Sequence, residues 1–298
     1  MTDAGREPAP WPRQALRLIV PAAPGGAIDA FAVPLALALG GRLGRQQVVL
    51  DHRPGLAGRL GAEIVARARP DGGTFLIASF DQVIAVGGLT GLAPVTLVAL
   101  APAVVLAPAG APFATGIADL NRRLRDPSSS AVWSYASAGS ASLAHLAAQR
   151  YLAAAGAAPA VHRPHRDLHA GLADLETGAA QLMIAPLPAA LPKIREGRLQ
   201  ALAVTGATRS FALPAVPTLA EVGIEMPPLL DWQALWSPAA TPGHLRQSLQ
   251  QAVAAVLDQQ EMVASWNRLG AARGGQPAQV LQLQVQSDTL AWGRRSGT

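Results

Sequence analysis

LRLIVPAAPGGAID, residues 16–29, joins a short apolar run to a Pro- and Gly-rich turn and the start of a helical pattern. Leu16, Leu18 and Val20 predict a buried strand, and the pattern over 27–39 predicts a helix. A strand, a glycine turn and a helix N-terminus leave several backbone N–H groups without partners at one place, which favours an anion. The turn is therefore a candidate carboxylate site, although an ordinary strand–helix connection explains the same residues equally well.

The alternation of strands and helices continues along the chain. Further strands are predicted at 47–50, 74–79, 132–137, 160–163, 180–185, 199–205 and 232–237. Strands separated by helices at this spacing predict an α/β fold with a parallel sheet covered by helices. We expect two lobes joined by a hinge of two crossing segments. Residues 15–101 and 235–298 would form the first lobe, 102–234 the second, and 1–14 a disordered lead-in.

Residues 82–118 contain no charged side chain, so a hydropathy window would mark them as membrane-spanning. Four prolines within the segment, Pro94, Pro102, Pro108 and Pro112, argue against one helix. Valine-rich runs at 95–98 and 103–106 favour buried strands joined by turns.

Composition excludes several classes of function. The net charge is +5, but all basic residues except Lys193 are arginines scattered along the chain, without the clustering that a nucleic-acid surface needs. There is no cysteine, which excludes disulfides and thiolate metal sites. We expect neither a nucleic-acid partner nor a cofactor.

A second strand, turn and helix N-terminus repeat the arrangement at 16–29. The predicted strand at 132–137 is followed by a small-residue turn and a helix that runs to 154. Ser140 or Ser142 could donate to a bound anion, although capping of the helix alone also explains them. Asp29, in the first turn of its own helix, could order waters or receive an amino or hydroxyl group of a ligand, or simply stabilise the helix terminus.

Signatures of catalysis are weak. The chain has no GxGxxG, GxSxG, HExxH or phosphate-loop pattern. Ser142 and His145 lie three apart on one helix without a placed carboxylate. His162, His165 and His169 form a cluster, but Pro164 predicts that they span a strand end, a turn and a helix start. Hydrogen-bonding or ligand-facing roles are therefore favoured over a metal site.

Six stretches follow one another in a specific order: VPAAPGGAIDAFA at 20–32, VVLDHRPGLAGRLGAEIVARARPDGGT at 48–74, APVTLVAL at 93–100, YASAGSASLAHLAA at 135–148, ALAVTGATRSFALPAVPTLAEVG at 201–223 and SPAATP at 237–242. Together they resemble the Bug-type solute-binding proteins of tripartite tricarboxylate transporters, over nearly the whole chain from 16 to 292.

The resemblance implies a type II periplasmic-binding (Venus flytrap) fold, whose lobes close on a small organic acid held by backbone amides and bridging waters. The residues that match the first-lobe site are Ala23, Pro24, Gly25, Gly26 and Asp29. Those that match the second-lobe turn are Ser137, Gly139, Ser140 and Ser142.

The third wall of the site departs from the family pattern. The family commonly has a Tyr-Lys-Gly-Gly-type loop there, whereas this chain has His165, Arg166 and Asp167, which we add to the candidate ligand-binding residues. Asp167 would repel a second carboxylate, whereas Arg166 or a protonated histidine would attract one. A monocarboxylate, or an amino- or aromatic-bearing acid, becomes an alternative to the usual dicarboxylate.

We therefore expect a monomeric periplasmic solute receptor, not an enzyme, that binds a small organic carboxylate and delivers it to the membrane permease subunits of the transporter. Residues 1–15 show no apolar core of a secretory signal, so a cytoplasmic ligand sensor of the same fold is an alternative. A hydrolase or metal enzyme that uses the region 162–169 is a third hypothesis.

Overall fold

The chain folds as an α/β protein with two lobes, as the sequence predicts. The computed structural model describes residues 11–12, 14–44, 47–85, 88–126, 133–140 and 142–293, so most of the predicted lead-in lies outside the described residues. Within the described part of the chain, no helix is both long and apolar enough to cross a membrane.

The strands and helices alternate through most of the chain. The strands are β1 (Leu16–Val20), β2 (Val48–His52), β3 (Thr74–Ser79), β4 (Leu92–Pro108), β5 (Ser134–Ser137), β6 (Val161–Pro164), β7 (Leu182–Pro186), β8 (Leu199–Val204), β9 (Leu230–Pro238) and β10 (Ala272–Arg273). The helices are α1 (Asp29–Arg42), α2 (Arg59–Ala66), α3 (Ile117–Leu124), α4 (Leu143–Ala154), α5 (Leu168–Glu176), α6 (Leu187–Arg195), α7 (Gly243–Leu257), α8 (Gln260–Arg268) and α9 (Ala278–Trp292).

Each lobe has a parallel set of strands bordered by antiparallel ones. In the first lobe, β2, β1 and β3 are parallel, and β9 pairs antiparallel with β3. In the second lobe, β6, β5 and β7 are parallel. Strand β4 belongs to both lobes, because it pairs with β9 and β10 in the first and with β7 and β8 in the second.

The expectation of buried strands joined by turns over the uncharged segment is half right. Its apolar residues are buried in a sheet, but 92–108 form one strand of 17 residues. The register with β9 shifts after Pro94 and again after Leu97, and the pairing with β9 ends at Pro102. Bulges and a change of partner accommodate prolines that have no N–H to donate, so the prolines do not end the strand.

The two lobes are joined where β4 changes partners. Pro102 is the last residue of β4 that pairs with β9, and Ala103 is the first that pairs with β7. Thr205 fastens this point, because its hydroxyl lies 2.7 Å from the Leu229 carbonyl and 2.9 Å from the Ala103 amide. The crossings therefore lie near 102 and 230. The division of the chain at 101 and 235 remains a prediction.

Helix α9 packs across β4 and closes one side of the connection between the lobes. Trp232 of β9 is fully buried, and its indole N–H donates to the carboxylate of Asp288 on α9 at 2.8 Å. Gln284, one turn earlier on the helix, donates to the same oxygen at 2.9 Å. These bonds provide donors for a buried carboxyl group and fix the face of β9 that carries Trp232. The opposite face of β9 therefore lies toward the cleft between the lobes.

Candidate functional site

The turn before α1 is closed by the helix's own first residue. Gly25 has a φ of 77°, a conformation that glycine adopts without strain, and its N–H donates to the Asp29 carboxylate at 2.7 Å. His52 Nε2 lies 2.9 Å from the other oxygen of that carboxylate. The Gly26 N–H donates to the Ala23 carbonyl at 3.2 Å. The amides of both glycines are thus already bonded within the turn.

Other amides of the turn remain available. No described residue accepts a hydrogen bond from the N–H of Ala27 or Ala30, and α1 has no side-chain cap. Together with the positive end of the helix dipole, such amides stabilise a carboxylate by roughly 0.3–2 kcal/mol. Pro24 is exposed in the same turn. A carboxylate bound at this turn, as the sequence predicts, would accept from the amides of Ala27 and Ala30 rather than from those of Gly25 and Gly26.

A cavity of about 310 Å³ lies against this turn, between the two lobes. Gly25, Gly26 and Asp29 line it from the first lobe, together with Asp231 and Gln233 of β9. The second lobe contributes His169 of α5 and proline and alanine side chains from the start of α6. None of the described residues that line the cavity is an arginine or a lysine.

The predicted second-lobe turn forms a closed hydrogen-bond network of its own. Ser137 is fully buried, and its hydroxyl lies 2.7 Å from His162 Nε2 and 3.1 Å from the Gly139 amide. Ser142 donates to the Gly139 carbonyl at 2.7 Å and caps α4. Ser140 is exposed. These four residues lie outside the lining of the cavity.

The carboxyl group of Asp81 lies at the N-terminus of α4. Asp81 follows β3 in the first lobe, and its carboxylate accepts a hydrogen bond from the backbone N–H of Leu143. Burial raises the pKa of Asp81 to about 7, although the bond from Leu143 favours the charged form. The helix terminus at which the sequence predicts a bound anion therefore already holds an acid from the opposite lobe.

The turn of His165, Arg166 and Asp167, which the sequence predicts as the third wall of the site, is stabilised by ion pairs of its own side chains. Asp167 caps α5 by accepting the Ala170 N–H at 2.8 Å, and this bond lowers the pKa of its carboxyl group. Arg166 donates to Asp167 at 3.1 Å, and His165 Nε2 lies 3.1 Å from the Asp174 carboxylate. The charges that we expected to face a ligand are therefore largely paired with one another, and these residues do not line the cavity.

The clustered histidines have separate environments. His162 lies in β6, His165 follows that strand and His169 lies in α5, so the predicted strand end, turn and helix start are confirmed. The ring of His162 stacks on Tyr135, with centroids 5.0 Å apart, and lies tilted against the ring of His145 at 4.1 Å. Burial, with a smaller effect of His165, lowers the pKa of His162. Among the residues that the structure describes, no group of three side chains could hold a metal ion.

The polar residues on β9 are the part of the site that sequence reasoning missed. Asp231 and Gln233 lie two residues apart and so project from one face of the strand, opposite to Trp232. The Gln233 amide donates to Asp231 Oδ2 at 3.3 Å. Burial, and then the nearby Asp81, raise the pKa of Asp231 to about 8. Their alternation in Asp231-Trp232-Gln233, at the return between lobes, is the signal that could have found them.

Two α/β lobes joined by crossing strands, with a cavity between them, define a solute-binding protein of the periplasmic type. The chain belongs to the tripartite tricarboxylate transporter family of receptors, whose family model matches residues 32–294. Protein BugT of Bordetella pertussis strain Tohama I is 30% identical over 271 residues, which cover 88% of this chain and 82% of BugT. The predicted Bug-type resemblance is confirmed.

Solved structures show the same fold. R. palustris Rpa4515 with adipate superposes with a TM-score of 0.84 at 29% identity, covering 95% of this chain and 96% of that one. MatC from Rhodopseudomonas palustris with bound malate gives a TM-score of 0.79 at 25% identity, covering 95% and 98%. The solved relatives also include the periplasmic binding protein BugD. These proteins are solute receptors rather than enzymes, and this chain is a receptor of the same class.

Proposed function

We propose that the chain is an extracytoplasmic receptor that binds a small organic carboxylate between its lobes and delivers it to a tripartite tricarboxylate-type permease. The observation that carries the proposal is the interlobe cavity at the N-terminus of α1, where the amides of Ala27 and Ala30 have no acceptor among the described residues. One ligand carboxylate would bind at these amides.

Binding would act by favouring the closed arrangement of the lobes. The cavity is lined by both lobes, so a ligand that contacts both stabilises the state in which they are close together. Delivery to a permease and a location outside the cytoplasm are supported by membership of the receptor family. We also propose that the protein acts as a monomer, since both lobes that line the cavity belong to one chain.

Thermal melting against a panel of small acids tests the proposal. The panel holds mono-, di- and tricarboxylates, including adipate and malate, and amino- and aromatic-substituted acids. An acid at 100 times its Kd should stabilise the protein by about 2.7 kcal/mol, a rise in Tm of roughly 5 °C. A folded protein that no acid stabilises at millimolar concentration would refute a carboxylate receptor.

The variant Gly26→Asp supplies the site-specific control. It places a negative charge beside the α1 amides, so it should abolish the shift caused by a bound acid. Gly116→Asp is the matched variant, because Gly116 is in open space at the N-cap of α3, where aspartate is favoured. Retention of the shift in Gly116→Asp and its loss in Gly26→Asp would locate the ligand at the α1 turn.

A further inference from the structure

We infer that the ligand of this receptor carries an ammonium group as well as a carboxylate, and that Asp231 and Gln233 bind the ammonium. The inference rests on the proposed function, which supplies the carboxylate site at the α1 turn. The residues of β9 would then determine which small organic acids the receptor binds.

One side chain in the wall of the cavity has an unsatisfied acceptor. Gln233 is only 4% exposed, lines the cavity and donates its amide N–H to Asp231. Its Oε1 atom is buried and accepts no hydrogen bond from any described group. A buried carbonyl oxygen without a donor is unfavourable, and a ligand that brings N–H donors removes the cost.

The described wall of the cavity carries two acidic side chains. Among the described residues that line the cavity, the titratable groups are the carboxyls of Asp29 and Asp231 and the imidazole of His169. Asp29 already has partners in Gly25 and His52, whereas Asp231 has only the long bond from Gln233 among the described residues. The carboxyl group of Asp231 is therefore available to bind a ligand, and a positively charged group of the ligand would be favoured there.

The protonation of Asp231 agrees with this role. Burial and the neighbouring Asp81 raise its pKa to about 8, so without a cation the carboxyl group is largely uncharged at neutral pH. A bound ammonium would replace that proton and provide the counter-charge that the described wall lacks.

The second carboxylate of a diacid would not find a free donor at Leu143. The backbone N–H of Leu143 at the start of α4 already donates to Asp81. A ligand therefore meets the N-termini of α1 and α6 and an acidic strand. A carboxylate at a helix N-terminus and an ammonium at the acidic strand match both kinds of wall, which two carboxylates would not.

Calorimetric titration with matched acids tests the inference. The ligands are aminocarboxylates of two to six carbons, each compared with the mono- and dicarboxylate of the same length. We expect the best aminocarboxylate to bind at least tenfold more tightly than both matched acids. In Asp231→Asn its affinity should fall at least tenfold, while the affinity of the matched monocarboxylate changes less than threefold.

Two further variants separate recognition from folding. Gln233→Leu keeps a similar volume but removes the acceptor, so it should weaken the aminocarboxylate at least threefold and leave the monocarboxylate unchanged. Asp71→Asn, in an exposed turn where the carboxylate accepts the Gly73 amide, should change neither affinity. Far-ultraviolet circular dichroism confirms that each variant is folded before titration.

The outcomes distinguish the two proposals. If a dicarboxylate or monocarboxylate binds more tightly than its matched aminocarboxylate, the receptor function stands and the ammonium inference is overturned. The inference is also overturned if Asp231→Asn binds the aminocarboxylate as well as the wild type does. If no acid of any kind binds, the proposed function itself fails.

Discussion

Replacing Asp29 with alanine should loosen the turn that forms one wall of the cavity, because one carboxylate holds two parts of the first lobe together. It accepts the Gly25 amide at 2.7 Å and lies 2.9 Å from Nε2 of His52, at the end of β2. A hydrogen bond to a charged group contributes roughly 1.5–3 kcal/mol when protected and less when exposed. With one exposed and one half-buried bond, we expect Asp29→Ala to lower the free energy of unfolding by about 2–3 kcal/mol.

Urea unfolding followed by tryptophan fluorescence measures this loss. Asp29→Asn keeps an oxygen for the Gly25 amide and can donate to the imidazole of His52, so it should cost less than about 1 kcal/mol. A double-mutant cycle with His52→Ala isolates the pair, for which we expect a coupling of about 1 kcal/mol. Asp71→Ala is the matched control, because Asp71 accepts a glycine amide at 2.9 Å in a turn on the surface.

The comparison with the control decides whether Asp29 organises the turn. If Asp29→Ala costs no more than Asp71→Ala, the carboxylate does not hold the turn, and the account of the first-lobe wall is wrong. If the cycle shows no coupling to His52, the stabilisation comes from the Gly25 amide alone. We further expect Asp29→Ala to weaken binding of any stabilising acid at least tenfold, because the amides lose their fixed positions.

Three further changes test the packing and electrostatics around the site. Gly61→Ala should lower Tm by several degrees in a melting experiment, because its Cβ would lie 2.9 Å from Cβ of Pro21, at the start of the cavity turn. Trp232→Phe should cost about 2–4 kcal/mol in urea unfolding, since it removes a buried bond to Asp288 and leaves a gap; a loss below 1 kcal/mol would contradict this account. Asp231→Asn should be stabilising, increasingly so as pH rises from about 4 to 8. The carboxyl group of Asp231 ionises from about pH 4 in the unfolded chain but stays protonated up to about pH 8 in the folded protein, so the wild type loses stability over this range. Asparagine does not titrate, and a difference in Tm that is constant with pH would refute the assignment.

Local patterns predicted the elements that carry strong local signals. The strand at 74–79 has the predicted bounds, and the glycine turn lies between β1 and α1 as expected. After the last predicted strand, Thr241 and Pro242 predict the start of one long helix that ends near 259, whereas residues 243–268 form two helices, so α8 was missed. The continuity of β4 was also missed, because whether a proline ends a strand depends on the strands that pair with it, and those lie more than 75 residues away along the chain.

The candidate site, too, could be predicted only in part from the sequence, because some of its residues come together through long-range pairing of strands. The α1 turn is a local arrangement and could be located from glycine, proline and aspartate alone. Asp81, Asp231 and Leu143 come together only through the pairing of β9 with β3 and β4 and the docking of α4 across the cleft. Such long-range contacts have no periodic signal in the sequence, so the contact of Asp81 with the N-terminus of α4 could not be predicted.

The shared strand β4 has a consequence for how the protein melts. Its 17 residues supply backbone partners to both lobes, so removing it from either lobe would leave unpaired amides and carbonyls in the sheet of the other. The lobes therefore cannot lose their structure one after the other, as two domains joined by a flexible linker can. Heating should produce a single cooperative transition with or without ligand, and a bound acid that contacts mainly one lobe should protect both.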